Sequence, residues 1–270
     1  MEVVVSTICK CQFSLESSVL LQVIKALLTL CTSGPLSGPP LVQSLWTLLS
    51  IYASATDKVI TNTAKGAISQ ILGTVFSLSL SDDVISRISE LPEDEGRAAA
   101  SKNDALIIFG KFLEMMRRAV KRIEEKEGEK DGERQVFTVA DERIRFLVSE
   151  YILNILENYC VPIKKFSYFL NFVKKSLSNL LVLSCSPRVL MSFNSDLAYI
   201  WLKIIKIFLE IFLPLSKIEP SQVMDTCVLN LLTTDITTME FKSLLLSTVV
   251  NPLLLDLPYL HCSTSITIVI

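Results

Sequence analysis

The chain has 270 residues, 50% hydrophobic, 20% charged and 8% aromatic, with only eight glycines and ten prolines. That length suits one large domain or two small ones, and the composition excludes disorder, collagen and turn-rich β architectures over most of it. The 26 basic and 28 acidic residues lack the basic excess of a nucleic-acid binder, and the single histidine, His261, removes the usual proton carrier of general-base, metal and Ser/His/Asp chemistry.

Apolar residues recur at helical spacing along nearly the whole chain, while strand alternation is almost absent. The opening MEVVVSTICKCQF has too short an apolar patch for a signal peptide and carries Glu2 where a basic region would stand. A first helix is predicted over about Leu15–Leu30, with Val19, Leu20, Val23, Ile24, Leu27 and Leu28 inward. It is ended by SGPLSGPP at 33–40. A second helix uses Leu41, Leu45, Leu48, Leu49 and Tyr52. Thr56 or Asp57 caps a third, built on Ile60, Ala64, Ile68, Ile71, Leu72, Val75 and Phe76. Ser81 is read as the cap of a short fourth helix with Val84, Ile85 and Ile88 inward. Residues 92–100 are read as a linker.

Beyond it, Ser101 and Asp104 have capping-box-like spacing ahead of a helix carrying Ile108, Phe109, Phe112, Leu113, Met116 and Val120. That helix runs into Lys121–Arg134, where eleven of fourteen residues are charged, six acidic and five basic. So balanced a segment reads as a solvated loop with a frayed helical start, not as an arm for nucleic acid or anionic lipid. A helix on Ile144, Leu147, Val148, Tyr151, Ile152, Ile155 and Leu156 is expected to end near Pro162. Another, on Phe166, Leu170, Val173, Leu177 and Leu180, ends near Pro187. The most apolar window, Leu197–Ser216, carries Lys203, Lys206 and Glu210 on one stripe. A helix over Ser195–Phe212 is therefore an amphipathic core helix, because each charge would cost roughly 2.5–3.5 kcal/mol at a bilayer centre. Two further helices are predicted at Glu219–Leu232 and Asp235–Val250. The terminal CSTSITIVI has three open readings: a stray strand, a disordered end, or the cut end of a longer frame.

Chemistry finds little purchase. The seven cysteines are scattered without CxxC spacing, which argues against a disulfide framework or a zinc site and for free thiols in a core. GxxxxGK[ST], GxGxxG and GxSxG patterns are absent. The paired carboxylates Asp82-Asp83, Glu93-Asp94-Glu95 and Glu124-Glu125 lie in polar stretches, where nothing raises a carboxyl pKa for acid–base work. Lys164-Lys165 and Lys174-Lys175 flank aromatics that follow the core period, so they read as rim lysines. No catalytic, cofactor-binding or metal-binding residue is assigned, and no cofactor or nucleic-acid partner is expected.

One stretch carries a family resemblance. In VLLQVIKALLTLCTS, Gln22, Ile24, Lys25, Ala26, Leu27 and Leu28 match a Q-x-I-K-A-L-L helix. Ile51, Tyr52, Thr63, Ala64, Lys65, Gln70, Leu72, Val75 and Phe76 match a helix ending near I-Y and a T-A-K-x-x-x-x-Q-x-L helix before V-F. This tract resembles the N-terminal dimerisation and cyclophilin-binding region of the large brefeldin A-inhibited Arf guanine-nucleotide exchange factors. Asn103–Phe109 is similar to a segment that follows the charged linker in that family, and the helices after Glu142 resemble the start of its upstream homology region. The family's asparagine-tyrosine-aspartate box and its catalytic Sec-seven domain, with the glutamate finger, are missing from this sequence.

The fold expected is all-α, a HEAT/armadillo-like solenoid of stacked antiparallel helix pairs, since helix pairs recur about every 40–50 residues. Its expected parts are an N-terminal helical region (1–91), a linker (92–100), a second helical region (101–259) with a charged loop at 121–136, and an irregular tail (260–270). The resemblance implies a regulatory and oligomerisation module of an Arf exchange factor in Golgi or endosomal traffic, without exchange activity of its own. Such a module is cytoplasmic and peripherally membrane-associated. Its partners are a second copy, an Arf-type small GTPase or its own downstream domain. The alternative is an unrelated armadillo/HEAT scaffold or adaptor. Interface candidates are Trp46, Thr63, Lys65 and Gln70. Leu20, Leu27, Leu30, Leu45 and Trp46 extend the apolar arc of the first helices, to be covered by a second copy or by the strip Val3–Phe13 folding back.

Overall fold

A computed structural model describes residues 2–14, 16–33, 36–124, 139–186, 189, 195–212, 223–229, 232 and 239–251. The helices are α1 (Glu2–Lys10), α2 (Ser17–Ser33), α3 (Pro39–Ser54), α4 (Lys58–Ser79), α5 (Asp82–Ser89) and α6 (Glu93–Ala100). They continue as α7 (Asp104–Glu124), α8 (Val139–Lys165), α9 (Ser167–Ser184), α10 (Ser195–Phe212) and α11 (Met239–Leu245). A 3-10 turn follows α1 at Cys11–Phe13, and wider π-type turns form Met224–Leu229 and Leu246–Val250. Among the described residues there is no strand. The charged stretch beyond Glu124, residues 219–222, 230–231 and 235–238 of the two last predicted helices, and the tail with His261 lie outside the described residues.

The chain divides into two compact units, one formed by Met1–Met116 with Gly128–Asn171, the other by Arg117–Glu127 with Phe172–Ile270. In the first, α1 packs on α3 and α2, α2 packs on α4, and α3 and α4 form an antiparallel hairpin turning at residues 55–57. The apolar stripes predicted for these helices are the ones buried: Ile24, Leu27, Leu41, Leu48, Ile51, Ile68 and Phe76 are among the most enclosed side chains. Leu20, Leu27 and Leu45 are also buried, and α1 with its 3-10 turn packs on α2 and α3.

The side chains of α8 reach α4 in one repeated register. Arg143 donates to the Thr61 hydroxyl, Lys65 pairs with Glu150 at 2.7 Å, and the Tyr151 hydroxyl donates to the Lys65 carbonyl at 2.9 Å. The Tyr159 hydroxyl donates to the Gly73 carbonyl at 3.1 Å, and just past α4, at the start of α5, Asp82 pairs with Lys165 at 2.9 Å. Separations of 82 to 86 residues throughout mean that α4 and α8 run parallel. The start of α7 lies parallel to α3 by the same reasoning. Gly38 N–H donates to Asp104 Oδ1 and the Trp46 ring meets Phe112, each pair 66 residues apart.

Three local expectations are corrected. Residues 92–100 are a helix rather than a linker. Glu93, Asp94 and Glu95 sit in its positive first turn, Arg97 bonds Glu93 at 2.7 Å, and Gly96 lets it close on a neighbour, since a Cβ there would lie 2.6 Å from the Tyr168 hydroxyl. Ser81 precedes α5 but makes no side-chain cap, because its hydroxyl donates back to the Leu78 carbonyl. The cap of α7 is Asn103, whose Oδ1 accepts from Leu106 N–H while its amide donates to the Ser79 carbonyl at 2.8 Å. The Ser101 hydroxyl turns back to Ala98. Asp57 does cap α4, accepting from Val59 N–H at 2.8 Å.

Helix α8 breaks earlier than Pro162 suggests. Tyr159 leaves helical geometry (φ −116°, ψ 17°) and the helix resumes to Lys165. Proline lacks the N–H that would bond the carbonyl four residues back and its ring crowds that carbonyl, so the distortion falls in the preceding turn. In the second unit, α10 occupies Ser195–Phe212 as predicted and packs on the turn Leu246–Val250. Trp201, Ile204, Ile205, Phe208 and Phe212 are buried. Lys206 and Glu210 pair at 3.4 Å, and Lys203 lies over the Tyr199 ring on the outer stripe. No helix among the described residues is long and apolar enough to cross a membrane.

Arg143 also donates to the Ala53 and Ala55 carbonyls at 3.2 and 2.9 Å, and its guanidinium stands 5.0 Å from the centre of the Tyr52 ring. Removing it leaves carbonyls of buried residues without that donor. Arg143→Met is therefore expected to lower stability by about 2–3 kcal/mol, read as a shifted midpoint at unchanged slope in urea unfolding.

Candidate protein-binding groove

The four sequence-derived interface residues fall in two places. Trp46 stands on α3, partly buried, its ring 6.3 Å from that of Phe112 on α7. Thr63, Lys65 and Gln70 lie on α4. There Lys65 is drawn into the internal pair with Glu150, and the Thr63 hydroxyl returns to the Val59 carbonyl at 2.6 Å. Gln70 is exposed. The side of α4 carrying Lys65 is thus directed at α8, and Trp46 belongs to a different surface.

That surface is a groove of about 770 Å³ along α3, walled on one side by α1 with its 3-10 turn and on the other by the start of α7. Its bed is Pro39, Val42 and Trp46. Phe13, 78% exposed, and Ile107 form its edges, and Lys10 and Lys111 are its two charged side chains. The volume lies in the range of sites that hold several side chains or a small molecule. At the groove's end, α3 begins abruptly. Gly38 has φ +64° and ψ −139°, a conformation open to glycine alone, and Pro39 and Pro40 then start the helix without needing N–H partners.

The bond from Gly38 N–H to Asp104 Oδ1, at 2.7 Å, fixes the end of the groove to the first turn of α7. Burial raises the Asp104 carboxyl above its ordinary value, and the Gly38 N–H partly offsets this. Of these lining residues the sequence singled out Trp46 but not Lys10, Ile107 or Lys111. Their common surface joins three segments far apart in the chain, and no local spacing signals it.

Cys31 is buried against the Ser44 hydroxyl with Cys9 nearby, and desolvation pushes its thiol up to about 11, which keeps it protonated and unreactive. Burial also holds the Tyr151 phenol well above its ordinary value, as a hydrogen-bond donor. Among the described residues, no group of three His, Cys, Asp or Glu side chains could hold a metal ion. The arrangement is suited to binding. Compared with known proteins, the chain matches no family model and no curated relative.

Three measurements check this geometry. Gly38→Ala should cost about 1–2 kcal/mol through its positive φ alone, since an added Cβ meets open space; thermal unfolding at fixed pH reads it. Lys65→Ala should cost less than about 1 kcal/mol because both partners of the Glu150 pair are partly solvated. Maleimide labelling of the native chain followed by peptide mapping should modify exposed Cys11 first, with Cys9, Cys31, Cys185 and Cys227 reacting only on unfolding.

Proposed function

We propose that the chain is a non-catalytic, protein-binding regulatory module of an Arf guanine-nucleotide exchange factor, with its helices stacked as a HEAT/armadillo-like solenoid. The observation that carries the solenoid reading is the double parallel register: α3 beside α7 and α4 beside α8, with α1 and α2 laid on α3 and α4 in the same order. Stacked antiparallel pairs generate this pattern, since like helices of successive pairs become neighbours and run the same way. The resemblance of Val19–Phe76 to the dimerisation and cyclophilin-binding region supports the family. Its proposed partners are a second copy, an Arf-type GTPase or the downstream part of an exchange factor, at the cytoplasmic face of Golgi or endosomal membranes.

The second reading is an unrelated scaffold of the same architecture, favoured by the groove, which needs no exchange factor to be useful. Fluorescent-nucleotide release from Arf separates the two. The purified chain alone is expected to leave the rate at the buffer value, and added in trans to an isolated Sec-seven domain it is expected to change the rate. Acceleration by the chain alone, or no effect in trans at saturating concentration, would overturn the regulatory reading.

A further inference from the structure

We infer that the groove along α3 is a docking site for an acidic, amphipathic peptide segment of a partner protein. The peptide's bulky apolar side chains would lie on Trp46, Val42 and Pro39, and its carboxylates would face Lys10 and Lys111. The inference stands on the groove alone and holds whether or not the chain belongs to the exchange factors.

Charge is the first argument. The lining contains two lysines and no acid. Lys10 ends α1, where it is exposed. Lys111 bonds Glu114 at 3.2 Å, but that pair spans adjacent turns of α7 with both ends about half exposed, so an incoming carboxylate can replace it. At the groove's end the Asp104 carboxylate accepts from Gly38 N–H. The lining therefore places one lysine on each wall of an apolar trough, Lys10 at the exposed end of α1 and Lys111 in a solvent-exposed pair with Glu114.

Shape and bed chemistry are the second. The bed offers a partly exposed tryptophan, a residue type that anchors interfaces, and the same lining carries the exposed Phe13. Gln12 and Gln43 stand in the same lining, and each carries an amide able both to donate to and accept from a peptide backbone. A purely lipidic or fatty ligand would leave those amides without partners, whereas an extended or helical peptide meets all three features at once.

The test is selection of a random-peptide phage library on the full chain, followed by titration of the enriched synthetic peptides while tryptophan emission is recorded. Enriched sequences are expected to combine Asp or Glu with Phe, Trp or Leu, and their binding should alter the emission of Trp46. The change should be absent in Trp46→Phe. The double variant Lys10→Glu, Lys111→Glu should weaken binding about tenfold or more at an unchanged melting temperature, and added salt should weaken the wild-type complex. Absence of enrichment, enrichment of basic or uncharged peptides, or equal binding by the double variant would overturn the proposal. So would two other occupants: phosphatidylserine vesicles bound through the same lysines in place of peptide, or a dimer in sedimentation equilibrium that the double variant dissolves.

Discussion

The guanidinium of Arg143 meets the Ala53 carbonyl, the Ala55 carbonyl and the Thr61 hydroxyl while resting over the Tyr52 ring. The corner between α3 and α4 needs such a donor. A helix leaves its last carbonyls without intrahelical partners, and here the turn that follows is only three residues long, with Ala53 and Ala55 buried. One side chain with a planar fork of donors serves several of those acceptors, a task a lysine could not match. The same contact sets where α8 begins against α4. Further along, Glu150, Tyr151, Tyr159 and Lys165 meet Lys65, Gly73 and Asp82 in that one register.

From that register the exposed groove follows. Helix α8 also packs on α3, and Trp46 of α3 meets Phe112 of α7. The short α1 covers only part of α3, leaving the surface around Trp46 open. The hydroxyls of Tyr151 and Tyr159 illustrate how such packing stays specific: each ring is an apolar contact and each hydroxyl has a carbonyl to bond, so a slip of one turn would take the buried Tyr151 donor from its partner. A surface built on so constrained a frame is presented in one shape, which lowers the ordering cost of binding.

Helix identity was legible because the apolar residues of α2, α4, α7 and α10 repeat with the helical period, and the side chains so marked are the buried ones. Stops were legible where proline or glycine forced them, as at the start of α3. Caps were less so: Asp57 caps as its position suggests, but Ser81 and Ser101 satisfy carbonyls behind them, and Asn103 takes the cap because its amide also finds the Ser79 carbonyl from another helix. The segment 92–100 looked like a linker by composition, yet its acids suit a helix N-terminus and its glycine suits close packing beneath Tyr168.

By itself, then, the sequence determined the helical class, the inward stripe of most helices and the positions of several ends, since these depend on neighbours within a turn or two along one segment. Tertiary structure alone decided which helices lie side by side, that Lys65 turns to Glu150, that the strip Val3–Phe13 folds onto α3, and that Lys10 and Lys111 share a groove with Trp46. Those outcomes join residues tens of positions apart. They are set by the competition among apolar faces for one another and by the need of every buried donor and acceptor for a partner, neither of which leaves a periodic mark on a single segment.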